Sequence, residues 1–214
     1  MLKNLTNVTV AILGAVATSA ATLPTPSMAT SSTVQPFSIV PEGPTQETET
    51  KEVVPEKPKV KRLICKGCNT NETKTVEFLQ KRGITDKNAI ATIMGNIRQE
   101  STFTPNICEG GARVSYSACR SGGFGAIQWT NAPRYYGLGK FAARIGGDPS
   151  TLDTQLQYML YESDWKMIEP KMKTPGKSIN DYMGLAKKWI RWGHHGARTD
   201  YAYNYVNKLV LIEV

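Results

Sequence analysis

Histidine is almost absent from this chain of 214 residues: there are two, His194 and His195, and they are adjacent. Neighbouring histidines rarely turn toward one ion, and no Asp, Glu or Cys beside them completes a ligand set, so neither a metal nor a cofactor is expected. Basic residues exceed acidic ones to give a net charge of +8. Yet Lys and Arg nowhere cluster into a groove-reading element or alternate with aromatic residues, so nucleic acid is not an expected partner. No repeat of useful length occurs. The N-terminal apolar run, Val8 to Ala17, is too short to cross a bilayer, which argues against a stable membrane anchor. Cysteines number four: Cys65, Cys68, Cys108 and Cys119. "CKGC" could open a zinc site, but the spacing from Cys108 to Cys119 supplies no second short pair.

What is present divides the chain in three. Residues 1–29 hold Lys3, the apolar run and a small-residue stretch ending in "SMA", the pattern of a secretory signal with a small-x-small cleavage site. Residues 30–64 carry Pro36, Pro41, Pro44, Pro55 and Pro58 among Thr, Glu and Lys. With so few large apolar groups such a segment cannot offset its ordering entropy and is expected to be a disordered linker. Residues 65–214 form the folded domain. It contains 20 basic and 13 acidic residues, so the positive surplus lies there. A secreted or extracytoplasmic location follows from the signal, and outside a cell a basic domain meets teichoic acids, lipopolysaccharide and acidic glycans. In an exported chain an even cysteine count points to two disulfides, and a bridge could close the ten residues between Cys108 and Cys119. Oxidised cysteines also argue against a cysteine peptidase, which needs a thiolate beside a histidine.

The domain reads as mainly helical. "TKTVEFLQKRG" suits a short helix closed by Gly83. "DKNAIATIMGNIRQESTFTP" places Ile90, Ile93, Met94 and Ile97 on one face, capped by Thr85 or Asp86. Residues 106–131 are rich in Gly and Ser and predict turns with short strands. "APRYYGLGKFAARIGG" predicts another helix. "PSTLDTQLQYMLYESDWKMI" predicts one long helix, with Ser150 as cap and Asp153 three residues on. "KSINDYMGLAKKWIRW" repeats that device with Ser178 and Asp181. The final "ARTDYAYNYVNKLVLI" groups Tyr201, Tyr205, Val206 and Leu209 on a last helix. The expected fold is thus a single helical domain with a Gly-rich loop or short β insert.

One residue breaks the pattern. Continuing the apolar face from Ile97 leads to Glu100. Apolar surroundings and the negative end of the helix dipole both disfavour a charged carboxylate. An acid kept protonated near neutrality can give its proton to a leaving oxygen, as cleavage of a glycosidic bond requires. Further on, "GFGAIQW" combines Gly125, where backbone can approach a ligand, with Gln128, a donor and acceptor, and Trp129, a flat face for a sugar ring. Tyr135 and Tyr136 come shortly afterwards and are expected to extend that surface.

"IMGNIRQESTFTPN", "GGFGAIQWTNAPRYYGL", "DTQLQYMLYES" and "GARTDYAYNY" resemble, in this order, the successive blocks of the phage tail lysozyme family. That family is related in motif logic to goose-type lysozymes and lytic transglycosylases. The resemblance covers about residues 74–208 and implies an α+β lysozyme-like fold. It implies that Glu100, with Ser101 next to it, is the catalytic acid, and that Gly125 and Gln128 line the cleft. It implies cleavage of the β-1,4 bond between N-acetylmuramic acid and N-acetylglucosamine in peptidoglycan glycan strands, by a monomer. Hydrolysis normally takes a second carboxylate, and Glu109, Asp148, Glu162 and Asp164 are available without any motif that selects one; Glu162 reads as an ordinary helix-surface charge. A lytic transglycosylase needs only one. The export signal and tether depart from the setting of a tail protein, which favours a secreted enzyme over a virion component. Arg198, in "WGHHGAR", is expected to pair with a helix end. A wall-binding module without turnover is the third reading.

Overall fold

The structure, a computed structural model, describes residues 60–214. The expected signal, residues 1–29, and the linker up to residue 59 lie outside the described residues. The linker's last residues depart from expectation: Lys61–Cys65 form strand β1, antiparallel to the final strand β2, Leu209–Glu213. Lys61 faces Glu213 and Cys65 faces Leu209. Apolar Leu63 and Ile64 alternate across the strand, and Leu63 is buried, which is the burial that a pattern dominated by proline and charge conceals. β2 likewise replaces the tail expected as helix, because "LVLIE" is β-branched and apolar where a helix would have to expose it.

Seven α-helices lie between the strands among the described residues. α1 (Thr70–Lys81) opens with a reciprocal cap in which Asn69 and Glu72 bond each other's backbone. α2 (Lys87–Ser101) is capped by Asp86, whose carboxylate accepts from Ala89 N–H. Its sequence reads as one apolar face, but in the fold every residue from Ala89 to Ile97 is buried, including Thr92, Gly95 and Asn96. The small residues on its other faces let α1, α6 and α7 close around it, so α2 is the central helix. Gly95 shows how closely: a Cβ there would sit 2.7 Å from both Arg198 O and Ala202 N of α7.

α3 (Ala132–Ile145) comes after the irregular insert and is capped by Asn131. The single long helix expected next is two, α4 (Leu152–Tyr161) and α5 (Ser163–Lys173), because the chain turns extended at Glu162. Its cap is Thr151 in place of Ser150, whose hydroxyl accepts from Tyr116 N–H at 2.8 Å and ties the insert to the helices. α6 (Ile179–Ile190) carries the expected Ser178–Asp181 capping box, and α7 (Arg198–Lys208) leads into β2. Trp165 of α5 and Trp189 of α6 meet edge to face at 4.8 Å, fully buried. No described helix is long and apolar enough to cross a membrane.

The cysteines pair as Cys65–Cys68 and Cys108–Cys119. The second bridge closes the insert, so Cys108→Ser with Cys119→Ser is expected to cost about 2–3 kcal/mol, the entropy of a loop of this length. Comparing urea unfolding of the double variant with the oxidised parent checks this.

Candidate active site

Glu100 occupies the last turn of α2, and the backbone just beyond it is unusual. Thr102 and Phe103 are consecutive non-glycine residues in the left-handed region, with φ of 51° and 60°. Such backbone is held only by strong surroundings. Phe103 supplies them: it is 1% exposed, meets the edge of Tyr205 at 6.0 Å, and its carbonyl accepts from Asn71 Nδ2 at 2.9 Å. The reversal ends α2 abruptly and leaves the Glu100 side chain 14% exposed beside α7.

Arg198, the first residue of α7, donates from Nη2 to Glu100 Oε1. The helix end that Arg198 meets is thus the last turn of α2, through the Glu100 carboxylate. Its Nη1 also donates to the carbonyls of His194 and His195 at 2.9 and 2.7 Å, and its plane lies 4.8 Å from the Trp192 ring. Ala197 N–H donates to Gln99 Oε1 at 2.9 Å. "WGHHGAR" is thus a cradle for one arginine. The histidine rings have local roles, His194 Nδ1 accepting from Gly196 N–H and His195 Nε2 lying 2.8 Å from Thr199 Oγ1.

Two influences compete at Glu100. Burial pushes its pKa above the ordinary 4.5 and is the larger; the hydrogen bond and charge of Arg198, then the charge of Arg134, pull it back. The net direction is upward. A carboxyl in this state can act as a proton donor while Arg198 fixes its orientation.

The glycine-rich loop differs from the expected sugar-contact surface. Trp129 is 0% exposed and packs on Tyr158 at 5.3 Å, so its face is closed to a ligand. Gln128 turns its amide inward, donating to Gly125 O at 2.9 Å and Ile107 O at 3.3 Å. Ser101 is buried and donates to Ala126 O at 2.8 Å, which pins the loop to the end of α2. Gly125 has φ 80°, and a Cβ there would meet the Gln155 amide at 2.6 Å. These four residues shape the loop from inside. Gln155, which sequence reasoning did not select, is their anchor. Fully buried on α4, it accepts from Ala126 N–H at 2.8 Å and donates to the carbonyls of Pro105 and Pro149 at 2.6 and 2.7 Å. The only signal for it was a glutamine beside Leu156 on an otherwise apolar face.

Tyr135 does reach a cavity. Its ring stacks on Tyr116 at 4.4 Å and its hydroxyl donates to Cys119 O at 2.9 Å. With Arg120, Thr130 and the exposed Tyr136 they line a space of about 500 Å³. Glu100 is not part of that lining. The two are linked by the chain between them, which passes from Ala126, held by Ser101, to Arg134 on α3.

The carboxylates weighed as partners for Glu100, and Asp153, are engaged. Glu162 is no surface charge: it is buried at the α4–α5 break, gripped by Arg134 through Nε at 2.6 Å and Nη2 at 3.0 Å, and accepts from Trp189 Nε1 at 3.2 Å. Glu109 accepts from Gly123 N–H and Asp148 from Ser150 N–H, each at 2.8 Å. Asp164 pairs with Arg191 at 2.6 Å and Asp153 with Lys74 at 3.6 Å.

The phage tail lysozyme family matches residues 70–209. Morphogenesis protein 1 of Bacillus phage B103 is 35% identical over 102 residues, which is 48% of this chain and 26% of that protein, so the match spans about a quarter of the relative's length. The family match runs from the first residue of α1 to the first of β2, and so takes in every helix around Glu100 and the glycine-rich loop: the chain belongs to the phage tail lysozyme family.

Proposed function

We propose that this domain cleaves peptidoglycan glycan strands at the β-1,4 bond between N-acetylmuramic acid and N-acetylglucosamine, with Glu100 as general acid. The observation that carries the reading is a carboxyl at the end of the central helix, biased toward its protonated form by burial and oriented by Arg198. Its proton passes to the bridging oxygen as the bond from that oxygen to the muramic anomeric carbon breaks. Water then bonds to the anomeric carbon and gives its proton to the Glu100 carboxylate, which leaves a reducing end and restores the acid. Tyr135 and Tyr136, which line the tyrosine cavity, offer ring surface to the glycan. The domain acts outside the cytoplasm, as a secreted enzyme or within a virion.

One observation favours a second course for the last step. Each of the four carboxylates weighed as a partner for Glu100, namely Glu109, Asp148, Glu162 and Asp164, is bound to another group, which argues against any of them as the nucleophile or base. The sugar's own hydroxyl would then bond to the anomeric carbon and pass its proton to the Glu100 carboxylate, as in a lytic transglycosylase, leaving an anhydro-muramic end. Digestion of purified peptidoglycan by wild type and Glu100→Gln, with products weighed by mass spectrometry, decides. Reducing ends support hydrolysis and anhydro ends transglycosylation. Pelleting with sacculi without soluble fragments leaves only a binding module.

The pH profile tests the role of Arg198. The acid form is the active one, so activity falls as pH rises through the raised pKa of Glu100. Arg198 lowers that pKa, so Arg198→Gln, which keeps a hydrogen-bond donor but removes the charge, is expected to move the alkaline limb of kcat/KM to higher pH. An unmoved limb would show that this guanidinium does not tune the acid.

A further inference from the structure

Part of the basic surplus of the domain lies along α3, beyond the tyrosine cavity. α3 contains no acidic residue. Tyr136, Lys140 and Arg144 recur at four-residue spacing along it, and all three are exposed, forming a ridge that starts at the mouth of the tyrosine cavity. At the far end Arg144 meets Tyr161, the last residue of α4, and there a second cation joins from α5. Arg144 Cζ lies 4.3 Å and Lys166 Nζ 4.7 Å from the centre of the Tyr161 ring, and Arg144 Nη1 donates to the Tyr161 hydroxyl at 3.2 Å.

Two cations drawn onto one half-exposed phenol would ordinarily be balanced by a carboxylate. None is in reach: no described acidic side chain forms an ion pair with Lys140, Arg144 or Lys166. The acids nearest in sequence are engaged elsewhere: Glu162 by Arg134, Asp164 by Arg191, Glu169 by Lys173, and Asp148 by the Ser150 N–H. The cluster therefore offers a planar guanidinium, an ammonium and a phenol hydroxyl whose own proton remains available, all facing solvent. That donor set suits tetrahedral oxyanions, with the guanidinium fork bridging two oxygens and the ammonium acting as a point charge. Lys140 and Arg144 place two positive charges about one helical turn apart, and Lys166 adds a third beside Arg144, so a ligand with anions at intervals gains more than a single phosphate does.

We infer that the Arg144–Tyr161–Lys166 cluster, continued by Lys140, is a binding site for a phosphodiester polymer of the polyol-phosphate type. It holds the domain against an anionic wall polymer while Glu100 works on the glycan. The site stands whatever chemistry Glu100 performs.

Binding of the full chain to soluble poly(glycerol phosphate) tests it, measured by titration calorimetry between about 50 mM and about 200 mM salt. Wild type is expected to bind this polymer and to bind polyaspartate of matched length much more weakly. Arg144→Gln with Lys166→Gln weakens binding about tenfold, the scale of two solvent-exposed charged contacts, and flattens its salt dependence. Lys81→Gln with Lys87→Gln removes the same charge from exposed positions elsewhere and changes affinity less than about twofold. Cleavage of short soluble glycan chains is unchanged in both double variants, which separates this site from the proposed active site. Equal losses in the two pairs, equal affinity for polyaspartate, or no binding by wild type overturns the inference.

Discussion

Glu100→Gln is expected to reduce turnover on peptidoglycan by roughly 10²–10⁴-fold, the contribution of a positioned general acid. Glutamine fills the same volume, and its Oε1 can still accept the hydrogen bond from Arg198, so the cradle of Arg198, His194, His195 and Trp192 keeps its geometry. The amide has no proton acidic enough to give to a leaving sugar oxygen. The loss should therefore appear in kcat, with sedimentation onto sacculi retained and the melting temperature nearly unchanged. The alkaline limb that Glu100 imposes should vanish from any residual activity. A variant that keeps full activity would place the acid elsewhere.

Gly95→Ala is expected to do comparable damage without touching a chemical group. Its Cβ would meet backbone atoms of α7 on two sides, at 2.7 Å from both Arg198 O and Ala202 N, and backbone cannot rotate away as a side chain can. The helices must separate along their closest crossing, at a cost of about 3 kcal/mol or somewhat more. That corresponds to a fall in melting temperature of roughly 6–12 °C for a domain of this size. The displaced segment begins with Arg198, so the loss of stability should come with a loss of activity larger than the unfolded fraction explains. Measuring both at a temperature where the variant is folded separates the two effects. An undisturbed melting curve would mean that α7 can shift at little cost.

The helices were readable because their signals are local. Asp86, Ser178 and Asp181 cap where their neighbours require, and the apolar spacing from Ile90 to Ile97 fixes the helix that ends at Glu100. The unreadable parts depend on partners distant in the chain. The strand at Lys61–Cys65 exists because Leu209–Glu213 lies beside it, 144 to 152 positions away pair by pair, and no short pattern records that. Trp129 and Gln128 have the residue types of a sugar platform, but the narrow loop that brings Phe124 onto Trp129 folds both inward. Glu162 looks like a surface charge on a continuous helix. It is buried because the helix breaks at that residue and Arg134 and Trp189 arrive from elsewhere. Of the site residues read from the sequence, Glu100 and Tyr135 lie at a partly open surface, while Ser101, Gly125, Gln128 and Trp129 turned out to be framework.

The pairing of β1 with β2 sets how the domain would respond to tension. Lys61 and Glu213 face each other at one end of the ladder, so a pull between the chain leading in and the chain leading out loads the sheet in peeling geometry, one residue pair at a time. Separation would begin at the Lys61–Glu213 ion pair and travel toward Cys65 and Leu209, where the Cys65–Cys68 bridge and the caps of α1 stop it. Tension between the two ends of the domain would thus be spent on a short, expendable zipper before it reached the helices that hold Glu100.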